Sequence, residues 1–148
     1  MARVYLDSCV VIYLIQAEEA ISGAIRDALQ LAVGPTPVLC YSDLTRLEWR
    51  VGPLRTGDRE TLALFDDFFA SPEPQQSQLG SDAFDLAAEI RASHGLKTPD
   101  ALHLAAAMLD GCEEFWTNDC RLATAAGDRI ALRVLPSPLA GGEPSVEP

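Results

Sequence analysis

Residues 4–15, VYLDSCVVIYLI, are two apolar runs divided by Asp7 and Ser8, and the reading of the second run decides the fold. The β-branched content of CVVIYLI suits a strand. Ser8 as an N-cap, and the need for the chain to turn after Asp7, favour a helix instead. With the helix adopted, Asp7 stands where a strand hands over to a helix. The rest of the chain then falls into the same rhythm. Short apolar runs RVYL, VLCY, EEFWT and IALRVL alternate with helical patterns in SCVVIYLIQA, ISGAIRDALQLAV, SDLTRLEWRV, TPDALHLAAAMLDG and DCRLATAAG. Alternation of this kind predicts an α/β domain with a largely parallel central sheet flanked by helices. Between VLCY and EEFWT lies a helical insertion, with Leu62, Phe65 and Phe69 on one helix face and Ala83, Leu86, Ala87 and Ile90 on another. The segment SPEPQQSQLG links those two helices.

The chain has 148 residues, 48% of them hydrophobic, with a mean hydropathy of +0.07. That is ample for one domain, placed at 1–135. The string PSPLAGGEPSVEP at 136–148 offers almost nothing to bury and is expected to be a disordered tail. The run CVVIYLI, Cys9 to Ile15, is far short of the roughly 18 apolar residues of a membrane span, and MARVYLDS lacks a signal-peptide pattern. A cytoplasmic protein without membrane attachment is expected. The cysteines Cys9, Cys40, Cys112 and Cys120 form no CxxC or zinc-type spacing, so reduced and mostly buried thiols are expected. A net charge of −11 excludes a nucleic-acid binder that works through a broad basic surface. A local route remains, with bound cations and a few placed arginines holding phosphate.

Four acids stand out by position. Asp7 ends an apolar strand, and Asp119, in WTNDCRL, repeats the arrangement. The carboxyl ends of parallel strands are where open α/β folds bind ligands, although either acid alone could be a cap or turn residue. Glu48 shares the Leu44, Leu47 and Val51 stripe of its helix, and a carboxylate on an apolar stripe asks for a cation or an arginine partner. The cation is the preferred partner. Asp100 opens a helix that is apolar nearly all round, with Thr98 as N-cap and Pro99 at the first helical position. Asp100, His103 and Asp110 lie on one stripe, and His103 is read as a satisfied structural side chain rather than a ligand. Asp7, Glu48, Asp100 and Asp119 thus converge on one sheet edge. Oxygen donors alone suit Mg²⁺ or Mn²⁺, which can polarise a phosphodiester, activate water and steady the leaving oxygen.

With these positions in hand, VYLDSCVVIYL, TRLEW, TPDALHLAAA and WTND, in that order, resemble the PIN-domain ribonucleases, and within them the VapC toxins of toxin–antitoxin pairs. The likeness runs over residues 3 to 135. It implies a PIN-like fold, with Asp7, Glu48 and Asp100 as core metal ligands and Asp119 as a fourth acid completing or flanking the site. Ser8 and Thr117 match small hydroxyl residues that orient ligands or water, and each equally suits a helix cap. The family implies Mg²⁺- or Mn²⁺-dependent cleavage of single-stranded or looped RNA, a homodimer, and a cognate antitoxin that covers the site.

Arg46 and Arg50, with Arg55 and Arg59, form a locally basic strip that could guide phosphate, or simply a solvated helix face. Trp49 and Trp116 are expected in or beside the core. Two further readings stand beside the nuclease. One is a noncatalytic module of the same fold that binds RNA or a partner. The other is an aspartyl-phosphate phosphohydrolase or receiver-like domain with Asp7 as nucleophile, which DSC disfavours by offering no second acid two residues on.

Overall fold

The computed structural model describes residues 2–16 and 18–135. The expectation of a disordered tail at 136–148 falls outside the described residues. Strand β1 (Arg3–Leu6) leads into α1 (Ser8–Gln16) and α2 (Glu19–Val33), and β2 (Val38–Tyr41) into α3 (Asp43–Thr56) and α4 (Arg59–Ala70). After a two-residue strand β3 (Gln75–Gln76) come α5 (Ser81–His94) and α6 (Thr98–Leu109). Strand β4 (Glu114–Thr117), a 3₁₀ turn at Cys120–Leu122, α7 (Ala123–Ala126) and β5 (Ala131–Val134) complete the described chain.

The five strands form one sheet in the order β3-β2-β1-β4-β5, and every pairing is parallel. β1 is central, with Tyr5 opposite Cys40 on one side and Phe115 on the other. Successive side chains face opposite layers. Tyr5, Cys40 and Phe115 meet α5, α6 and α7, where Ala87, Leu104 and Ala126 are buried. Val4, Leu6 and Trp116 meet the other layer, built from α1, α2, α3 and α4 around Val10, Leu29, Trp49 and Phe65. Cover on both faces explains why VYL of β1 and FW of β4 are apolar without alternation. Phe115, with no exposed surface, contributes on the order of 2 kcal/mol by burial.

The second apolar run is helical, but Ser8 is its first residue and not its cap. Val10 N–H and Val11 N–H donate to the Asp7 carbonyl, so Asp7 takes the capping position through its backbone. α6 likewise starts one residue early: Lys97 is its N-cap, no side chain caps it, and Thr98 and Pro99 lie inside. The linker SPEPQQSQLG contains β3, which adds an edge to the sheet through backbone pairing with β2, and its Gln75 side chain accepts from Arg3 Nη1 at 3.0 Å. DCRLATAAG divides into the 3₁₀ turn and the four-residue α7. In α3 the inward face is Thr45 and Trp49, while Leu47 is 61% exposed and Val51 41% exposed. The stripe of Leu44, Leu47 and Val51 is therefore not the buried one. Trp49 displaces it by packing on Phe65, Phe68 and Phe69, whose ring centroids lie 4.6, 5.9 and 5.4 Å away.

Candidate metal centre

Parallel strands and an antiparallel α6 bring three segments together at one end of the sheet: the residue after β1, the end of β4, and the start of α6. Asp7 continues the ladder, its N–H donating to Trp116 O at 2.9 Å. Its carboxylate is fixed at both oxygens. Oδ1 accepts from Ser8 N at 2.8 Å, and Oδ2 from the buried Thr117 hydroxyl at 2.7 Å. Thr117 Oγ1 also accepts from Asp119 N at 3.1 Å, so one hydroxyl sets the spacing of two acids.

Glu48 reaches the same place from α3. Its Oε1 accepts from Ser8 Oγ at 2.5 Å and lies 2.8 Å from His103 Nε2. An ionised carboxylate can only accept, so Nε2 carries the proton. His103 Nδ1 lies 2.7 Å from the Tyr5 hydroxyl, which donates to Ser42 Oγ at 2.8 Å. Trp49 Nε1 donates to Ser8 O at 3.1 Å and locks α3 against the start of α1. Glu48 thus enters beside Thr45 and Trp49, held by a buried chain running from β1 through α6. Burial alone would depress His103, but the Glu48 hydrogen bond and the charges of Asp7, Glu48 and Asp100 carry it above the ordinary histidine value. Burial alone would raise Glu48, and the His103 and Ser8 bonds outweigh it and hold the carboxyl below its ordinary value. His103 is the satisfied structural side chain expected of it, with a further effect: it fixes the direction of Glu48.

Asp100 is the exception. Half-buried at the start of α6, it receives no hydrogen bond among the described residues, and burial followed by the charges of Asp7 and Asp119 pushes its carboxyl up. Asp119 is the reverse case. Arg121 donates to it from Nε at 2.9 Å and Nη2 at 2.7 Å, and this pairing holds the carboxyl down. The four acids share a sheet edge without closing up. Among the described residues, the set of three metal-ligating side chains whose ligand atoms all lie within 4.8 Å of one another is at a different place. Arg121 on Asp119 and His103 beside Glu48 offset only part of the repulsion among the four acids, which therefore stand apart. An all-carboxylate donor set with one half-buried, unbonded member suits a hard divalent cation and not a thiophilic one.

Beside Asp100 and Asp119 opens a cleft of about 280 Å³, lined also by His94, Gly95, Leu96, Lys97 and Arg121. Lys97 and Arg121 were not singled out as site residues from sequence, although each lies within three positions of a site acid. Arg46 and Arg50 already hold partners: Arg46 lies over the Phe69 ring at 4.5 Å and 3.8 Å from Asp43, and Arg50 pairs with Asp66. Trp49 and Trp116 are buried, as expected.

An α/β domain with acids gathered at the carboxyl edge of a parallel sheet defines the class. The PIN domain family model matches residues 4–128. The chain belongs to the PIN domain family. Its structure is similar to that of VapBC2 from Rickettsia felis bound to a promoter DNA fragment, with 12% identity, a TM-score of 0.71, and coverage of 89% of this chain and 98% of that one. It is also similar to the sarcin-ricin-loop-cleaving toxin VapC20 of Mycobacterium tuberculosis, with 22% identity, a TM-score of 0.57, and 76% and 86% coverage. A toxin–antitoxin complex from Klebsiella pneumoniae matches at 23% identity and a TM-score of 0.56, over 81% of this chain and 90% of that one. Comparison with curated proteins gave no match. Among the described residues, no helix is long and apolar enough to cross a membrane.

Proposed function

We propose that the protein is a Mg²⁺- or Mn²⁺-dependent endoribonuclease, the toxin of a toxin–antitoxin pair acting in the cytoplasm. The observation that carries this reading is Asp100, a half-buried carboxylate with no hydrogen bond among the described residues, pushed up by burial and then by two neighbouring acids at the edge of a cleft. An unpaired acid in such a place costs stability, and a cation offsets that cost. Asp7, Glu48 and Asp100 would hold the ion, with Asp119 flanking it. A divalent cation bound there supplies Lewis acidity toward a phosphodiester. Ser8 and Thr117 keep Glu48 and Asp7 aimed, and His103 keeps Glu48 ionised and oriented. Lys97 lines the cleft and suits a substrate phosphate, as Arg121, Arg46 and Arg50 do once released from their partners.

VapC20 is described as cleaving the sarcin-ricin loop, and the Klebsiella structure as a toxin–antitoxin complex. We extend both properties to this chain. Leu47, Val51 and Leu54 lie at i, i+4 and i+7 on α3 and are all exposed, which supports a protein partner there, either a second copy or an antitoxin. Incubation of the partner-free protein with a mixed RNA pool tests the activity. Discrete fragments in Mg²⁺ or Mn²⁺ that disappear with a chelator and in Asp7→Asn are expected. RNA left intact by wild-type protein that still binds the metal would favour the noncatalytic binding module instead.

A further inference from the structure

The tightest group of metal-ligating side chains among the described residues is not at the acid edge. It lies at the other end of α6, where Cys40, Asp110 and Cys112 each offer a ligand atom and all three atoms are within 4.8 Å of one another. We propose that these three residues form a second cation site, for a thiophilic divalent ion of the Zn²⁺ class.

Both cysteines are unoxidised and buried, Cys40 on β2 and Cys112 after α6. Asp110 caps α6, and Gly111, at a φ of +72, makes the tight turn that returns Cys112 toward the Asp110 side chain. Zinc binds thiolate sulfur at about 2.3 Å and carboxylate oxygen at about 2.1 Å, so ligand atoms around one tetrahedral ion stand about 3.5 to 3.8 Å apart. A spread of at most 4.8 Å is one small contraction from that arrangement.

The surroundings fit a built site. Asp110 Oδ2 accepts from Arg3 Nη2 at 2.5 Å and from Ser77 Oγ at 2.7 Å, while Oδ1 receives no hydrogen bond among the described residues. A carboxylate oriented through one oxygen, with the other left open, is the usual form of a supported ligand. Two thiolates and a carboxylate around a divalent ion leave one negative charge, which the Arg3 guanidinium neutralises. Arg3 Nε is buried with no hydrogen-bond partner among the described residues and can serve a thiolate sulfur. The Arg3 and Asp110 side chains are 29% and 28% exposed, so an ion reaches the cluster from the surface. Binding releases one proton from each thiol to solvent, needs no oxidant, and leaves the fourth position to water. Its effect is to clamp β2 to the turn between α6 and β4.

The test uses reduced, metal-stripped protein carrying Cys120→Ser, which removes the exposed thiol. One equivalent of Cd²⁺ should produce a thiolate-to-metal charge-transfer band, and Zn²⁺ should raise the melting temperature by several degrees. Adding Asp100→Asn should leave the Cd²⁺ band unchanged, since that band reports thiolate ligation only. Cys112→Ser should abolish the band, and Asp110→Asn, which keeps both thiols, should weaken Cd²⁺ binding at least about tenfold. No band in the parent, a band that survives Cys112→Ser, or undiminished affinity in Asp110→Asn would each overturn the three-ligand site.

Discussion

Helix α6 carries an aspartate near each end, and the two differ in every respect that matters. Asp110 at the C-terminal end is paired with Arg3 and accepts from Ser77. Asp100 at the N-terminal end has neither a hydrogen bond nor an ion pair among the described residues, and burial and then two other acids push its carboxyl up against the weaker pull of His103 and Arg121. An acid that rests on protein partners stabilises the fold by itself. One left unsatisfied beside like charges lowers stability, so its retention points to something outside the chain. The same contrast separates donor sets: oxygen only at one end, and sulfur with oxygen at the other.

The largest effect should come from Asp100→Asn, which is expected to reduce RNA cleavage by at least about a hundredfold. In metal-free protein the same change should raise the melting temperature, because it removes a charge that the fold tolerates poorly. The pH dependence follows from the raised carboxyl. A group whose folded pKa exceeds its unfolded value costs stability as pH rises from the unfolded value through the folded one. The stability difference between Asp100→Asn and wild type should therefore widen with rising pH across the carboxylate range and then level off. Thermal melts at a series of pH values in chelator read this directly, and a destabilised variant would erase the contrast between the two ends.

His103→Asn sharpens the contrast from the core side. It leaves Glu48 and the Tyr5 hydroxyl without their shared partner and should cost about 3 kcal/mol in urea melts. Histidine raised above its ordinary value contributes stability that is full below the unfolded pKa and lost as pH rises through the folded pKa. The gap between wild type and His103→Asn should accordingly narrow toward alkaline pH. At the satisfied end, Ser77→Ala removes one hydrogen bond to Asp110 and should cost about 1 kcal/mol, with a sign opposite to that of Asp100→Asn. Leu47→Gln, on the exposed face of α3, should shift stability by less than about 0.5 kcal/mol. A larger loss would mean that Leu47 packs in the free protein.

Four strands, the order of the helices and the parallel class were legible because buried parallel strands and their helices leave strong apolar patterns. β3 was not, since Gln75 and Gln76 join the sheet by backbone bonds and carry no apolar signal. Asp7 and Asp119 were readable from their place after strands. Glu48 was singled out on a face that proves exposed at Leu47 and Val51, because helical spacing ranks apolar positions alike while Trp49 has far more surface to bury. Thr117 and Ser8 gave no separate sign of which acids they would hold. The Cys40 and Cys112 pairing was invisible, as those residues come together only through sheet order and the turn at Gly111.

Titration of metal-free wild-type protein and Asp100→Asn with Mn²⁺, followed by the electron paramagnetic resonance of the free ion, tests the role of the acid edge most directly. Wild type should take up Mn²⁺ saturably, and the variant should lose that uptake while remaining folded. Equal uptake by both would contradict the assignment of Asp100 as a ligand and leave it an acid at a helix start.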